Sequence, residues 1–383
     1  MMKRNFLKKV MGTAMSAMLA GCMLVGCGGA SSSAASQAVS ETPSASASED
    51  AASSVATDTA SGGKYKIALS NSYMGNDWRQ LMIKTTQVVA TKEPYASKVD
   101  LDVVTCENTA EAQAASIDAL VEQDYDAILI NAASATALIP SIQRAVDAGI
   151  TVVTFDNTVE ADGVYRVSTD LADLSRAWAS YLVTKCGDGA KLIMDTGIAG
   201  STSGNVMYEA AMDVFNEHNM QIVSEFASEY ADGVGQEQIA SVLAANPDID
   251  GVYALCYANT VYNAFTDAGR ELVPTTCFNT NAGQIAAFDN KMDVLIGQNT
   301  PGLGAVAMET AVKVLDGEQV EQENLVKASL MTNDTNVDFG YQAAALEENV
   351  TFFRDLPDAF DYPVVPKDFT PQVEASEVSD YQQ

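Results

Sequence analysis

Asp156 is the residue whose position in this chain most clearly invites chemistry. It stands in the stretch TVVTFDNT, from Thr151 to Thr158, where five β-branched or aromatic residues are followed at once by its carboxylate and by the amide of Asn157. A buried strand that ends in polar groups is typical of ligand sites in α/β proteins. Three roles are open to the carboxylate: acid or base in catalysis, ligand to a metal ion, or acceptor of hydrogen bonds from a bound molecule.

Catalysis by Asp156 lacks a partner in the sequence. Glycoside hydrolysis needs two carboxyl groups about 5–9.5 Å apart. The strand end expected to face Asp156 offers Asn279, whose amide cannot serve as acid or base, while Asp195 is expected to end a strand structurally. The single histidine, His218, gives no support to a Ser-His-Asp or Cys-His mechanism. We therefore predict no catalytic residue.

A metal or redox site also lacks the usual spacing. Metal ions need several carboxylates, or His and Cys at regular intervals. His218 lies in VFNEHNM at the end of a predicted helix, and the cysteines beyond the N-terminal region are far apart, at Cys106, Cys186, Cys256 and Cys277. We predict no metal and no cofactor. Cys256 and Cys277 end neighbouring predicted strands, and they are either bonded as a disulfide or free and buried.

The N-terminus is typical of a secretory signal. Four basic residues in MMKRNFLKK precede the uncharged run VMGTAMSAMLAGCMLVGC. Its boxes LAGC and LVGC, which end at Cys22 and Cys27, resemble the bacterial lipobox; Cys27 is the better candidate because GGASSS follows it. The Ser/Ala-rich segment 27–63 cannot bury enough apolar surface to fold. We expect a lipid anchor on Cys27, or alternatively on Cys22, and a flexible tether outside the cytoplasm.

Composition limits the classes of partner. The chain has 383 residues, of which 47% are hydrophobic, enough for two domains of ordinary size. Its formal net charge is −30, and no basic surface for a nucleic acid is expected to persist in that field. We therefore exclude nucleic acid as a partner, and we expect a monomer.

Strand and helix patterns alternate from Lys64 onwards. Short β-branched runs such as YKIALS, DAILIN, AKLIMD and DVLIGQ are separated by helical patterns such as TAEAQAASIDALVEQ. Continuous apolar strands are buried on both faces, so the pattern predicts an α/β fold with two similar lobes, each a parallel sheet flanked by helices. Mostly neutral polar residues end the predicted strands: Ser70, Asn71, Ser72, Asn131, Asp156, Asn157, Asp195, Cys256, Tyr257, Asn279 and Gln298. They favour a cleft for a small polar molecule.

These segments together resemble the ribose-type sugar-binding proteins of ABC transporters, which have the type I periplasmic-binding-protein fold. The matching pieces run from Lys64 to about Thr332 and include IALSNSYMGNDWRQLM, DAILINAASATALIPSIQRAVDAGITVVTFDNT, EYADGVGQEQIASVLAANPDIDGVYA and LIGQNTPGLGAVAMETAVKVLDGEQV. The resemblance implies two lobes joined by a three-segment hinge, a ligand bound between them, and an ABC transporter permease as partner.

The resemblance also implies ligand contacts from both lobes. In the first lobe, Asn76 and Trp78 match a polar contact and an aromatic stacker, and Asp156 matches a carboxylate that accepts hydrogen bonds from two hydroxyls. In the second lobe, Tyr230 matches an aromatic stacker facing Trp78, and Gln298 matches a glutamine at the hinge.

Charged positions of the family pattern are altered here. Asn157 stands where the family commonly has Arg, and Met207 corresponds to a second family Arg. Arg79, at a position that is often aromatic in the family, can restore one cation. These changes predict a ligand that differs from the ligands of the family in the part that would contact Asn157, Met207 and Arg79.

Strand ends of the second lobe are altered as well. Asn279 replaces the usual Asp after Phe278, and Cys256 or Tyr257 replaces an Asn in a shorter loop. We include all three altered positions among the expected ligand contacts.

We expect a lipid-anchored, extracytoplasmic solute-binding protein that captures a small polar ligand, with a sugar as the leading candidate, and delivers it to a permease. Two alternatives stay open: a ligand-sensing partner of a membrane receptor or kinase, and a carbohydrate-active enzyme. The expected boundaries are 1–26 for the signal, 27–63 for the tether, 64–167 plus about 299–322 for the first lobe, 168–298 plus about 323–345 for the second, and 346–383 for an acidic extension.

Overall fold

The computed structural model describes residues 63–72, 74–75, 77–107, 109–198 and 202–381. The expected signal sequence, Cys22, Cys27 and nearly all of the expected tether lie outside the described residues, as does Asn76. None of the helices in the described part of the chain has the length and apolar character needed to cross a membrane.

The described residues form thirteen strands and ten helices. The strands are β1 (Tyr65–Asn71), β2 (Val99–Thr105), β3 (Ala127–Asn131), β4 (Thr151–Phe155), β5 (Tyr165–Thr169), β6 (Lys191–Asp195), β7 (Gln221–Phe226), β8 (Gly251–Tyr257), β9 (Thr275–Phe278), β10 (Val294–Gln298), β11 (Glu323–Val326), β12 (Ser329–Thr332) and β13 (Ala344–Ala345). The helices are α1 (Asp77–Ala90), α2 (Ala110–Val121), α3 (Ile139–Asp147), α4 (Leu171–Cys186), α5 (Thr202–Glu217), α6 (Asp232–Ala245), α7 (Ala258–Asp267), α8 (Asn281–Asp289), α9 (Leu303–Leu315) and α10 (Ala375–Ser379).

Two sheets organise the fold. The first has the order β11-β5-β4-β3-β1-β2, and all its neighbouring strands run parallel. The second has the order β13-β12-β10-β9-β8-β6-β7, in which only β12 runs antiparallel to its neighbour β10. The predicted α/β class with two parallel-sheet lobes is confirmed.

Alternate residues of the central strands pack on opposite faces of their sheet. In the first sheet, Leu129 and Val153 belong to the core that includes α1 and α9, whereas Ile128 and Val152 belong to the core on the other face. Both sets are fully buried. Helices on both faces therefore explain why these strands are apolar throughout instead of alternating with polar residues.

The chain crosses between the lobes at the ends of three strands. It leaves the first sheet after β5 and enters α4, whose Trp178 is buried in the second lobe. It returns after β10 into α9, which packs on the first sheet, and crosses again between β11 and β12. Because β11 pairs with β5, the last of these crossings falls after Val326.

The segment after β13, residues 346–381, is called here the C-terminal segment. It was expected as an acidic extension, but its apolar side chains are buried in the first core with α1 and α9. Those side chains are Phe360, Val364, Val365, Phe369, Val373, Ala375 and Val378. The C-terminal segment thus completes the first lobe, although it begins beside the second.

Candidate functional site

Asp156 follows β4 and receives hydrogen bonds from two amides. Its Oδ2 accepts from Nδ2 of Asn131, which ends β3, at 3.2 Å, and its Oδ1 accepts from Nδ2 of Asn299, which follows β10, at 3.1 Å. Its backbone is left-handed, with φ at 58°. A non-glycine residue in this conformation is uncommon, and such residues cluster at ligand sites. The carboxylate is therefore fixed at the hinge, where the two lobes meet.

Arg79 supplies the positive charge nearest to Asp156. Its Nη2 lies 3.9 Å from Asp156 Oδ2, and its Nη1 donates to Oδ1 of Asn71 at the end of β1, at 2.9 Å. Arg79 is buried, whereas Asn157, which occupies the usual cationic position, is exposed. The cation therefore comes from α1 instead of from the residue after Asp156.

Trp78, in the first turn of α1, lies next to the same hinge. Its indole Nε1 donates to the backbone oxygen of Asn299 at 2.8 Å, and its half-buried ring packs against the first core. The Oδ1 of Asn299 accepts from Thr169 Oγ1 at 2.5 Å. Asn299 thereby joins β5, Trp78 and Asp156. Sequence reasoning missed it, although its place directly after Gln298 was an available signal.

Tyr230 lies in the second lobe, in the loop between β7 and α6. Tyr230 and Glu229 are consecutive residues with left-handed backbones, at φ 55° and 54°. A Cβ on Gly197 would lie 2.7 Å from the Tyr230 hydroxyl, so only glycine leaves room for this ring at the end of β6. The ring centroid is 6.0 Å from that of Phe278, and the Tyr257 hydroxyl donates to the Tyr230 backbone oxygen at 3.2 Å.

Cys256 does not face the site. Its side chain is fully buried in the core formed with α6 and α7, and a Cβ on Gly235 would lie 3.3 Å from its Sγ. The expectation of a ligand contact at Cys256 was wrong because successive strand residues point to opposite faces. Tyr257, one residue later, is half-buried at the strand end. Cys256 and Cys277 are both free thiols.

Asn279 and Gln298 both direct their amide groups at Asp361 of the C-terminal segment. Asn279 Nδ2 donates to Asp361 Oδ1 at 2.5 Å, and Gln298 Nε2 donates to the same oxygen at 2.7 Å. The same two nitrogens also donate to the backbone oxygens of Tyr362 and Pro363, respectively. Asp361 was missed by sequence reasoning, because nothing in FDYPVV indicates that an aspartate is buried.

Burial makes Asp361 hard to ionise. It raises the pKa of this carboxyl to about 7, although the hydrogen bonds from Gln298 and Asn279 act in the opposite direction. Burial also raises the pKa of Tyr257, and the charges of Asp232, Asp361 and Asp77 add to that shift. The charges that act on Tyr257 therefore come from α6, from the C-terminal segment and from the start of α1.

Two buried acceptors of the site have no hydrogen-bond partner among the described residues. They are Asn131 Oδ1, beside Asp156, and Gln298 Oε1, beside Asp361. Both residues are at least 99% buried. Leaving such an atom unpaired is costly, so each acceptor favours a hydrogen-bond donor from outside the protein.

Asp195 and His218 have structural roles. Asp195 accepts from the backbone nitrogens of Gly197, Ser228 and Leu255 at 2.9 to 3.0 Å, and thereby ties together the loops after β6 and β7 and the strand β8. His218 pairs with an aspartate at the protein surface, 2.8 Å away. Within the described part of the chain, no group of three His, Cys, Asp or Glu side chains is placed to hold a metal ion.

Two α/β lobes with polar strand ends that meet at a shared hinge define a two-lobe binding protein of the type I periplasmic-binding-protein fold. The family model for the periplasmic binding protein domain matches residues 67–319, and the chain belongs to that family.

Known relatives agree with this assignment. The ribose import binding protein RbsB of Escherichia coli (strain K12) is 27% identical over 272 residues, which cover 70% of this chain and 90% of the relative. Among solved structures, an ABC transporter solute binding protein from Thermobispora bispora is 28% identical, with a TM-score of 0.60 over 70% of this chain and 85% of that one. The fructose-binding periplasmic domain of the hybrid two-component system BT1754 shares the fold, with 19% identity and a TM-score of 0.61 over 71% and 92% of the two chains.

Proposed function

We propose that this protein is the solute-binding component of an ABC importer, and that it captures a small sugar between its lobes and delivers it to a membrane permease. The observation that carries the proposal is the carboxylate of Asp156, which is fixed at the hinge by Asn131 and by Asn299, the residue that also binds the indole of Trp78. A carboxylate can accept hydrogen bonds from two sugar hydroxyls, and an aromatic ring covers the apolar face of a sugar.

Family membership supports transport over catalysis. The matched relatives are binding proteins, and one of them is named for ribose import. At the hinge, Asn279 and Gln298 present amides, which cannot act as the second acid or base of a hydrolase. The proposed ligand contacts are Trp78, Arg79, Asp156, Asn157, Tyr230, Tyr257 and Gln298, together with Asn76, whereas both ends of the Asn279 amide are already bonded within the protein.

The proposed location is outside the cytoplasmic membrane, on a lipid anchor. The signal sequence and the LVGC box ending at Cys27 support this location, as does membership in a periplasmic binding family. The Ser/Ala-rich segment 27–63 would let the folded part reach the permease from its anchor. The protein is proposed to act as a monomer.

A thermal-shift screen tests the proposal directly. The full-length protein is heated in the presence of pentoses, hexoses, sugar alcohols, nucleosides and amino acids. A ligand that binds only the folded state raises the melting temperature, and at 100 times its Kd it contributes about 2.7 kcal/mol. We expect at least one sugar to do so. A response confined to amino acids or nucleosides would contradict the proposal, and so would turnover of any sugar.

Substitution of Asp156 by alanine is expected to weaken binding of the sugar found in that screen by about 2–3 kcal/mol, or roughly 30- to 150-fold in Kd. The loss follows because the hydroxyls lose a charged acceptor that Asn131 and Asn299 hold in place. Isothermal titration calorimetry measures it. The exposed Asp162, replaced in the same way, is the matched control and should leave Kd unchanged. If the Asp156 variant and the control bind the sugar equally tightly, Asp156 does not contact the ligand, and the binding site lies elsewhere in the protein.

Signalling is a second candidate output, because a sensor domain shares this fold. The two outputs differ in what is lost when the gene is deleted. An importer component is needed for uptake of labelled ligand, whereas a sensing partner is needed for induction of genes and leaves uptake intact.

A further inference from the structure

The C-terminal segment is fastened to both lobes on either side of Asp361. Before it, Asn281 at the start of α8 donates its backbone N–H to the oxygen of Phe360 at 2.8 Å, and Arg354 pairs with Asp289 at the end of the same helix. After it, Thr300 Oγ1 donates to the oxygen of Val364 at 3.2 Å, and the segment continues into the first core. Asp361 is thereby held at the hinge, at a point where the chain passes from one lobe to the other.

Asp361 occupies hydrogen-bond donors of the second lobe that would otherwise be available to a ligand. The amide nitrogens of Asn279 and Gln298 are already used to hold its Oδ1, at 2.5 and 2.7 Å. Asn279 Oδ1 in turn accepts from Gln284 Nε2 at 2.7 Å. Two groups beside these amides can still accept hydrogen bonds from a ligand. They are the carboxyl of Asp361 and the unpaired Oε1 of Gln298. A ligand must therefore bring donors to it.

The charge of the surroundings is negative. Asp156 and Asp361 lie at the hinge, and two exposed carboxylates, Asp77 at the start of α1 and Asp232 at the start of α6, raise the pKa of Tyr257 by their charge. Arg79 is the one basic side chain that the described part of the chain pairs with any of them, and it lies beside Asp156. Asp232 has neutral partners, Asn259 and Thr260. Of these carboxyl groups only Asp361 is buried, and none of the ion pairs among the described residues includes it. Ionising a buried carboxyl without a cation is costly, and a cationic ligand would reduce that cost.

We propose that Asp361 contacts the bound ligand, and that this ligand is a hydroxylated molecule carrying a cationic amino group, such as an amino sugar. The inference rests on the proposed function, since it takes the ligand to bind between the lobes. Asp156 accepts hydrogen bonds from hydroxyls at one side of the hinge, and Asp361 with Gln298 Oε1 receives the ammonium group at the other. The contact is made by a segment beyond the residues that the family model matches.

The test compares amino sugars with their hydroxyl counterparts on the full-length protein at pH 7. Glucosamine is paired with glucose, galactosamine with galactose, and putrescine serves as an amine without a sugar. Calorimetry on the wild type should give at least tenfold tighter binding for the better amino sugar than for its counterpart. Asp361→Asn should reduce this preference to threefold or less. Asp368→Asn removes an exposed charge from the same segment and should leave the preference unchanged.

The binding results distinguish a failure of the amino-group assignment from a failure of the proposed sugar binding. If neutral sugars bind as tightly as amino sugars to the wild type, the amino-group assignment is wrong while sugar binding stands. If the preference survives in Asp361→Asn, another residue receives the amine. Binding of putrescine without any sugar would contradict sugar transport, and its loss in Asp361→Asn would leave Asp361 as the amine contact. If no probe binds, the amino-group assignment fails, and sugar binding is decided separately by the thermal-shift screen. The wild-type comparison decides the amino-group assignment even if the variant does not fold.

Discussion

Replacing Phe369 by alanine is expected to lower the free energy of unfolding by about 3–5 kcal/mol. Phe369 is only 6% exposed, its ring stacks on that of Tyr95 with centroids 6.2 Å apart, and it belongs to the first core together with helices α1 and α9. Truncation removes this buried surface and leaves a cavity between the C-terminal segment and the helices. Urea unfolding followed by circular dichroism measures the loss as a lower midpoint with an unchanged slope.

Phe288 provides the matched control for this experiment. It is also a phenylalanine and lies on α8 of the second lobe, but it is 39% exposed, and its ring centroid is 5.2 Å from that of Phe352, in the part of the C-terminal segment beside the second lobe. Phe288→Ala should cost about 1 kcal/mol or less. If the two variants are equally stable, the C-terminal segment contributes little to the folded first lobe, and it would be a surface extension as its composition suggested.

The burial of the C-terminal segment could not be predicted from its sequence because it has no regular period. Helices and strands reveal their buried faces by apolar residues at intervals of 3.6 or 2. The run FDYPVVPKDF has prolines and acids between its apolar residues and follows neither interval. Its side chains are nevertheless buried, since an irregular backbone can direct successive side chains such as Val364 and Val365 into one core.

The first ten strands along the chain, in contrast, were predictable to within two residues. Most of them are continuous apolar runs, and such runs are buried on both faces of a parallel sheet. The edge strands β2 and β7 instead alternate exposed residues with more buried ones. The missed strands β11, β12 and β13 lie at or near sheet edges, have four residues or fewer, and are largely half-exposed or exposed. Their stability comes from pairing with a neighbour and not from their own composition, so the local sequence carries little signal for them.

The candidate site also has one part that could be predicted from the sequence and one part that could not. Its strand-end residues could be predicted because Asp156, Asn279 and Gln298 directly follow or end apolar runs. The partners of those side chains could not, because they come from distant parts of the chain. Asp361 lies 63 positions from Gln298 and 82 from Asn279. Contacts of this range depend on how the lobes and the C-terminal segment pack together.

Asp361 is expected to make stability depend on pH in a way that Asp361→Asn removes. Burial raises the pKa of this carboxyl from 3.8 to about 7, so the folded state binds the proton more tightly than the unfolded state. The resulting stabilisation is fully present below about pH 4 and is lost as the pH rises through 7. A shift of about three pKa units corresponds to roughly 4 kcal/mol. The amide introduced by the substitution does not ionise in this range, and its oxygen can still accept from both neighbouring amides.

The measurable quantity is the difference in unfolding free energy between the variant and the wild type. Other carboxylates titrate in both proteins and cancel, so this difference should move in favour of Asp361→Asn by about 4 kcal/mol between pH 4 and pH 8.5. The neighbouring Tyr257 titrates above this range, because burial raises its pKa. Urea unfolding at several pH values, with Asp368→Asn as an exposed control, follows the change. A difference that stays flat would mean that the Asp361 carboxyl is ionised in the folded protein at little cost, and it would then need no cation from a ligand.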